Sequence, residues 1–305
     1  MALGLPPQVK VLVRDWLSAN NVLLHDGADA VLVDTGYVRH AALTLSLLRT
    51  EAMLGASPLT RIVNTHCHSD HMGGNASLAR AYGCPIAIPE GEVPLIEAWD
   101  HTALLLDYAD QSADRFSVDE TLFAGSTHRW GGLDWESLAA PGHDMGALCF
   151  FARDHGILIS GDALWRNGFG FVMPREIDPD ALPATRATLD MLSRLPIRVV
   201  IPGHGDPFDD VDDALRRAYS RLELYEGDPQ RAARHALKVV LMFKLLDCRR
   251  LPIDGMPRYV ERVGLYRDFN AKFLKMTPQA LADALVGDLA RSGAVRREGG
   301  FVVPA

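Results

Sequence analysis

The sequence contains few cysteines and no long apolar run. Its four cysteines, Cys67, Cys84, Cys149 and Cys248, lie far apart and form no Cys-x-x-Cys pair. We therefore expect neither a disulfide framework nor a thiolate zinc site. No uninterrupted stretch of about 18 apolar residues is present, and the first residues lack the basic and apolar regions of a secretory signal. We therefore expect no membrane-spanning segment and a cytoplasmic location.

The composition is that of a globular protein. The chain has 305 residues, of which 48% are hydrophobic, enough for a sizeable core. Its net charge of −8 is uneven, because the stretch from Asp228 to Ala305 has 14 basic and 8 acidic residues. Solvated helix faces would explain this basic stretch, and a cationic surface for an anionic ligand is the alternative.

Short strand patterns alternate with helical patterns through most of the chain. Three strand-like runs open it, an apolar-periodic helix is expected from Val38 to about Leu54, and further strands and helices follow. This order predicts an α/β fold in which helices cover two sheets, a four-layer αββα sandwich. We expect a catalytic domain at residues 1–226, with a helical insert at about 90–116, and a helical extension at 227–305. The extension ends with a helix from Pro278 and a hairpin around Glu298-Gly299-Gly300, which is similar to part of a winged helix.

One short motif concentrates side chains that bind metals. "NTHCHSDHMGGN" begins at Asn64, and the predicted strand "TRIVNT" runs directly into its histidines. Residues two apart on a strand point to the same side, so His66 and His68 can bind one ion. Asp70 and His71 follow the turn and can reach a second ion, and a run of imidazoles with a carboxylate is costly to bury without a cation.

Two ions need more ligands than one loop provides, and three later loops offer them. His143 lies in "APGHDMG", Asp162 in "LISGDAL" and His204 in "VVIPGHGD". Each follows a predicted strand and stands beside glycine, where site residues of sheet-based enzymes commonly lie.

In this order the motifs THxHxDHxGGN, PGH, SGD and PGHG resemble the metallo-β-lactamase-fold superfamily, over roughly residues 9–225. The resemblance implies a set of metal ligands: His66, His68 and His143 for the first metal, Asp70, His71 and His204 for the second, and Asp162 between both. It also implies that Asp34, in "VLVDTG", supports the site from behind the ligands. The combined Asp70-His71 pair is similar to the glyoxalase II-like branch and differs from true β-lactamases, so antibiotic hydrolysis is not expected.

The resemblance further implies a dinuclear hydrolase that cleaves a small thioester, ester or lactone through a metal-bridging hydroxide. Asp70 would orient this hydroxide and transfer a proton. Zinc suits these ligands best, and iron or manganese would also fit. Three alternatives remain open: a phosphodiesterase or ribonuclease of the same fold, a mononuclear iron persulfide dioxygenase, and a noncatalytic ligand sensor. A small molecule is the expected partner, ranked above nucleic acid, and no membrane is expected.

The segment after Asp162 is rich in apolar side chains. We expect Trp165, Phe169, Phe171 and Met173 to form an apolar wall for the substrate. The insert at about 90–116 carries apolar residues at helical spacing, which would serve as core, as a lid or as the surface of a homodimer.

Overall fold

The computed structural model describes residues 3–305 of the chain. The strands are β1 (Val9–Leu12), β2 (Asn21–His25), β3 (Ala30–Val33), β4 (Arg61–Val63), β5 (Ile86–Pro89), β6 (Glu120–Leu122), β7 (Thr127–Trp130), β8 (Leu133–Ala139), β9 (Leu148–Ala152), β10 (Ile157–Gly161), β11 (Val199–Pro202), β12 (Leu251–Pro252), β13 (Val295–Glu298) and β14 (Phe301–Pro304). The helices are α1 (Ala41–Leu48), α2 (Ser69–Met72), α3 (Asn75–Tyr82), α4 (Val93–Ala98), α5 (Leu106–Ala109), α6 (Ala181–Leu192), α7 (Val211–Gly227), α8 (Pro229–Cys248), α9 (Met256–Arg262), α10 (Gly264–Phe269) and α11 (Pro278–Arg291).

The chain forms two compact units. The first runs up to Asp100 and resumes at Ser112–Glu223, and the second combines His101–Gln111 with Leu224–Ala305. The change from the first unit to the second thus falls within α7. The division expected at residues 226 and 227, with a winged-helix-like extension, stays a prediction.

The first unit is built on two sheets. One has the strand order β1-β2-β3-β4-β5-β6 and the other β11-β10-β9-β8-β7. In the first sheet β3, β4, β5 and β6 run parallel, whereas β1 and β2 pair antiparallel. In the second, β10 and β11 are parallel, and β9 is antiparallel to both β8 and β10. Consequently β8, β10 and β11 all end at the same edge of their sheet.

A shared apolar core joins the two sheets. Val31 and Val63 of the first sheet belong to the same buried cluster as Phe150, Ile159 and Ile201 of the second. Their strands read as nearly continuous apolar runs, as expected for strands that are covered on both faces. A fully buried aromatic ring such as that of Phe150 contributes roughly 1.5–3 kcal/mol to folding. Because the two sheets pack against each other through this core, the positions of the loops that follow their strands are fixed.

Two helical predictions were longer than the helices observed. The helix expected from Val38 to Leu54 is the 3₁₀ turn Val38–His40 followed by α1, which ends at Leu48. The chain then turns, because the amide of Leu54 bonds the carbonyl of Leu48 and Gly55 adopts a positive φ of 59°. Met53 and Leu54 are buried without being helical, which explains why the apolar periodicity extends beyond the helix.

The insert is also less helical than expected. Helix covers only α4 and α5, with the 3₁₀ turn Glu90–Glu92 before them. Trp99, Leu105 and Asp110 adopt left-handed backbone conformations that end or precede these short helices. Such conformations cost an ordinary side chain about 1–2 kcal/mol, so only tertiary packing maintains them.

The second unit is mainly helical and carries a small sheet. The order is β12-β14-β13, with the hairpin of β13 and β14 turning at Gly299 and Gly300 as predicted. Thr277 caps α11 by accepting a hydrogen bond from the amide of Ala280. Within the described residues 3–305, no helix combines the length and the apolar character needed to cross a membrane. The four cysteines are free thiols, as predicted.

Candidate metal centre

Five of the seven predicted ligands lie in loops at the ends of strands, and Asp70 and His71 lie in α2. His66 and His68 follow β4, His143 follows β8, Asp162 follows β10 and His204 follows β11. Their donor atoms form three groups, in each of which the atoms lie within 4.8 Å of one another. The groups are His66, His68 and His143, then His66, His71 and Asp162, and finally Asp70, His71 and His204. Residues separated by as many as 138 positions along the chain are thus brought into one cluster.

Asp162 stands between the other ligands. Its Oδ2 lies 3.3 Å from Nε2 of His143, and its Oδ1 lies 3.3 Å from Nε2 of His71 and 4.0 Å from Nε2 of His204. A carboxylate whose two oxygens face histidines of different groups can bind one ion through each oxygen. The role assigned to Asp162 between two metals stays a prediction, and its position suits that role.

Asp70 belongs to the other end of the cluster. Its Oδ2 lies 2.9 Å from Nε2 of His204 and 3.9 Å from Nε2 of His71. α2 begins at Ser69 directly after His68, and this single helical turn places both Asp70 and His71 on the same cluster. Asp70 remains partly exposed, with 14% of its side-chain surface accessible.

Asp34 organises the buried side of the cluster. Its Oδ1 accepts a hydrogen bond from the amide of Thr65 at 2.9 Å, and its Oδ2 accepts from the hydroxyl of Thr65 and from Nδ1 of His71, each at 2.8 Å. Because the Thr65 hydroxyl donates to Asp34, it accepts from Nδ1 of His66 at 3.1 Å. Asp34 thus lies one hydrogen bond behind His71, a position that suits the supporting role predicted for it, and that role stays a prediction.

These bonds fix which nitrogen of each histidine faces the cluster. Nδ1 donates in His66 and His71, and Nδ1 of His143 donates to the carbonyl of Phe171. In a neutral imidazole the other nitrogen then carries a lone pair. Nε2 of all three histidines is therefore an acceptor directed at its neighbours.

Divalent metal ions fit this arrangement. Nε2 of His66, Nε2 of His71 and Nδ1 of His204 are buried without a hydrogen-bond partner in the described residues 3–305. When both rings are neutral, as metal binding requires, Nε2 of His71 and Nε2 of His143 each face an oxygen of Asp162 at 3.3 Å, so acceptors point at acceptors. A buried cluster of this kind is repulsive unless cations lie between its members. Imidazole and carboxylate are ligands that zinc, iron and manganese accept, so the donor set alone does not select the metal.

The ionisation of the cluster follows from its burial and its carboxylates. Burial, assisted by the neighbouring imidazoles, lowers the pKa of His66 well below its ordinary value and that of His68 to about 4. Both are therefore neutral near pH 7, the form that binds a metal. Burial opposes charge on His71, but Asp34, Asp162 and Asp70 outweigh it and raise its pKa well above the ordinary value. The excess of negative charge around His71 attracts cations.

Two glycines allow the ligands to approach so closely. A Cβ on Gly203 would overlap Oδ1 of Asp162, and a Cβ on Gly170 would lie 2.7 Å from Nδ1 of His143. At such distances either the added Cβ or the ligand side chain would have to move. The glycine before His204 is therefore needed for the proximity of Asp162 to His71.

The loop between β1 and β2 is hydrogen-bonded to the segments that carry Asp70 and His204, and it places a tryptophan beside His204. Asn20 donates from Nδ2 to the carbonyls of Pro202 and Gly205, and the amide of Ala19 donates to the carbonyl of Asp70. Trp16, in the same loop, stacks on the ring of His204 with an interplanar angle of 1° and a centroid distance of 5.3 Å. It is 58% exposed, so its outer face is available to a ligand.

The predicted apolar wall is only partly accessible. Trp165 packs edge-on against Trp16 at 5.5 Å and donates from Nε1 to Oδ1 of Asp162 at 3.2 Å. Phe171 and Met173 are half-buried. Phe169 is 2% exposed, so it packs in the interior and cannot touch a ligand without a rearrangement.

Three residues near the cluster were not identified from the sequence: Trp16, Asp144 and Glu92. Asp144 follows His143 directly, and an acid beside a predicted ligand is a signal that could have been used. Trp16 lies in a turn between two strands, where an aromatic residue is a weak indication of a binding surface. Glu92 stands in a polar stretch, "PEGEVP", that gives no local indication of burial.

Comparison with known proteins identifies the family. The sequence model of the metallo-beta-lactamase superfamily matches residues 14–204. The chain belongs to this superfamily. Every predicted ligand from His66 to His204 lies inside the matched range, as does Asp34. The resemblance inferred from the motifs is confirmed.

The curated relatives that the chain matches share one name. A protein of Synechococcus sp. named hydroxyacylglutathione hydrolase is 31% identical over 197 residues, which is 62% of this chain and 64% of that protein. A Marinomonas protein of the same name is 33% identical over 116 residues, or 38% of this chain and 37% of the relative. The chain thus spans between about a third and two thirds of the length of these relatives.

Solved structures agree on the fold. A metallo-beta-lactamase family protein from Thermus thermophilus is 20% identical with a TM-score of 0.56, and the match covers 98% of this chain and 99% of that one. The protein TTHA1623, solved in a di-iron-bound form, is 26% identical with a TM-score of 0.52, over 68% of this chain and 96% of that one. The predicted metallo-β-lactamase fold with a helical C-terminal part is therefore confirmed.

Proposed function

We propose that this protein is a metal-dependent hydrolase that cleaves a small thioester, with hydroxyacyl thioesters of glutathione as the first candidates. The observation that carries the proposal is the position of Asp162 between two groups of histidines, with Asp70 and His71 completing the second group. Such a donor set supports a dinuclear centre. The names of the curated relatives support a thioester, and esters and lactones share the same carbonyl chemistry.

Two metals are proposed at positions defined by the chain itself. His66, His68 and His143 would hold the first, Asp70, His71 and His204 the second, and Asp162 would contact both. Bound divalent metals supply a nucleophile from water at neutral pH and polarise the substrate carbonyl. Zinc is the proposed metal, with iron or manganese as the alternatives to be decided by measurement.

The residues of the chain account for the other steps. In thioester hydrolysis the water oxygen bonds to the acyl carbon, the carbon–sulfur bond breaks, and one proton must pass from the water to the leaving thiolate. Asp70 is placed to carry that proton, because its carboxylate is partly exposed and held by His204. Asp34 keeps His71 in the tautomer that leaves Nε2 free.

The substrate test uses purified protein loaded separately with zinc, iron or manganese. We expect about two metal equivalents per chain and turnover of an S-2-hydroxyacylglutathione with kcat/KM of at least ~10⁴ M⁻¹s⁻¹. The same acyl group on N-acetylcysteamine tests whether glutathione itself is recognised. Turnover of bis-p-nitrophenyl phosphate alone would replace the thioesterase by a phosphodiesterase. One iron per chain with oxygen consumption would indicate the dioxygenase, and protein without metal would indicate a sensor.

Trp16 and Trp165 are expected to bind the acyl part of the substrate. Their rings meet edge-on beside His204, and Trp16 leaves an exposed face next to the proposed centre. Replacing Trp16 with alanine should raise KM roughly 3- to 10-fold for substrates with an apolar acyl chain, since an aromatic contact contributes about 0.5–1.5 kcal/mol. Steady-state kinetics over a series of acyl lengths measures this effect.

Val13 offers a matched control for Trp16. It lies in the same loop and is 47% exposed. Val13→Ala should leave KM and metal content unchanged. A Trp16→Ala protein that loses kcat equally for every acyl length, with KM unchanged, would show that Trp16 only supports His204.

A further inference from the structure

Two carboxyl side chains lie behind His68, on the side away from the proposed metals. Nδ1 of His68 faces Nε2 of His143 at 2.8 Å, so this nitrogen points into the cluster. Nε2 of His68 points the other way and lies 3.6 Å from Oδ2 of Asp144. A carboxylate beside the outer nitrogen of a metal-binding histidine orients the ring and makes it a stronger ligand.

Glu92 connects Asp144 to the chain segment that carries His66 and His68. It is buried, with 2% of its surface exposed, in the 3₁₀ turn before α4. Its carboxyl group hydrogen-bonds the side chain of Asp144 and accepts a hydrogen bond from the backbone amide of Cys67. Because Cys67 lies between His66 and His68, Glu92 joins the first histidine loop to the loop of His143 and Asp144.

The bond between Glu92 and Asp144 requires a proton. Two ionised carboxylates in contact repel each other, so one of the pair must be neutral. Burial, followed by the charge of Asp144, raises the pKa of Glu92 to about 10. Glu92 is therefore the hydrogen-bond donor to Asp144, and its other oxygen accepts from the backbone amide of Cys67.

The packing around this pair leaves no space for another side chain. A Cβ on Gly146 would overlap Oε1 of Glu92, and a Cβ on Gly91 would lie 2.8 Å from Cα of Gly146. The amide of Gly146 also donates to Oδ1 of Asp144 at 2.7 Å. The carboxylate of Asp144 is thus held from two sides, by Glu92 and by its own loop.

We propose that Asp144 and Glu92 are positioning residues of the metal centre: Asp144 orients His68, and Glu92 fixes Asp144 against the backbone at Cys67. This inference rests on the proposed dinuclear function, because it assigns His68 to a metal. It adds two residues that are not among the predicted ligands. Neither residue touches the substrate; both act through His68.

Four variants test this role: Asp144→Asn, Asp144→Ala, Glu92→Ala and Glu92→Gln. Asp144→Asn keeps the size of the side chain but replaces its carboxylate with an amide, so the affinity for the metal proposed at His66, His68 and His143 should fall roughly 10- to 100-fold. Asp144→Ala and Glu92→Ala should weaken it at least as much. Glu92→Gln keeps one donor for Asp144 and one acceptor for Cys67, so it should retain metal affinity within about 3-fold of the unmodified protein.

Metal affinity is measured by competition with a chromophoric chelator, together with the absorption spectrum of the cobalt-loaded protein. Glu90→Gln is the matched control, because Glu90 belongs to the same turn and is exposed. The proposal is wrong if Asp144→Asn binds metal with unchanged affinity, or if Glu92→Gln is as damaging as Glu92→Ala. Circular dichroism identifies a variant that does not fold, and Asp144→Asn then decides the result. Since these readouts need no substrate, they stand even if the thioesterase proposal fails.

Discussion

Asp162→Ala should lower the hydrolytic kcat/KM by at least about 10³-fold and reduce bound metal from about two equivalents per chain to one or none. The physical reason is its shared position. The carboxylate faces Nε2 of His143 with one oxygen and Nε2 of His71 with the other, each at 3.3 Å. Its removal takes one ligand from each proposed ion. It also removes a negative charge that would balance the charge of the ions. Metal analysis by mass spectrometry and steady-state kinetics measure both effects.

Two further variants serve as controls. The first tests whether the charge or the size of the Asp162 side chain matters, and the second tests whether the loss of any nearby carboxylate has the same effect. Asp162→Asn retains nearly the same size and can still accept the hydrogen bond from Trp165, so it should lose metal while preserving the fold. Asp206→Ala removes an exposed aspartate from the loop after His204 and should change neither quantity. Activity and two bound metals in Asp162→Ala would contradict the proposed centre, whatever its substrate.

Asp34→Ala should affect stability as well as metal binding. Asp34 is buried, and its removal leaves the amide and hydroxyl of Thr65 and Nδ1 of His71 without their acceptor. Buried donors without partners cost about 1–3 kcal/mol each, so the free energy of unfolding should fall by roughly 3 kcal/mol or more. Alanine is also disfavoured at the left-handed φ of 59° that Asp34 adopts. Urea denaturation of the metal-free protein measures this loss.

Asp34→Asn should behave differently. Asparagine tolerates the left-handed backbone, and its carbonyl can still accept from the amide of Thr65, so most of the stability should remain. Its amide group would instead face Nδ1 of His71, and metal affinity should drop roughly 10- to 100-fold. Asp154→Ala, at an exposed 3₁₀ turn, is the control for both measurements. Equal metal affinity in Asp34→Asn and the unmodified protein would show that Asp34 does not act through His71.

Much of the centre could be predicted from local sequence. His66 and His68 have the two-residue spacing of a strand end, and the loops of His143, Asp162 and His204 each follow a short apolar run next to glycine. These signals are short-range, since strand periodicity and the backbone freedom of glycine are properties of neighbouring residues. The structure contains the strands that these loops were predicted to follow, from β4 to β11.

Other features depended on distant contacts and left no local signal. Trp16 reaches His204 because Asn20 of its loop bonds the backbone at Pro202 and Gly205, far along the chain. Glu92 is buried against the loop of Asp144 although its own sequence is polar. Phe169 was expected to line the substrate site and is instead buried in the interior. In each case the packing of separate segments decided exposure.

The sequence by itself determined the family, the set of candidate ligands and their positions at strand ends, because ligand chemistry and strand periodicity are encoded within a few residues. Only the tertiary structure decided which lone pairs face one another. It placed Asp162 between His71 and His143, put Asp34 behind His71, and joined Glu92 to Asp144 behind His68. These relations arise where two sheets pack through a common core, since that packing fixes the distances between loops that no local pattern connects.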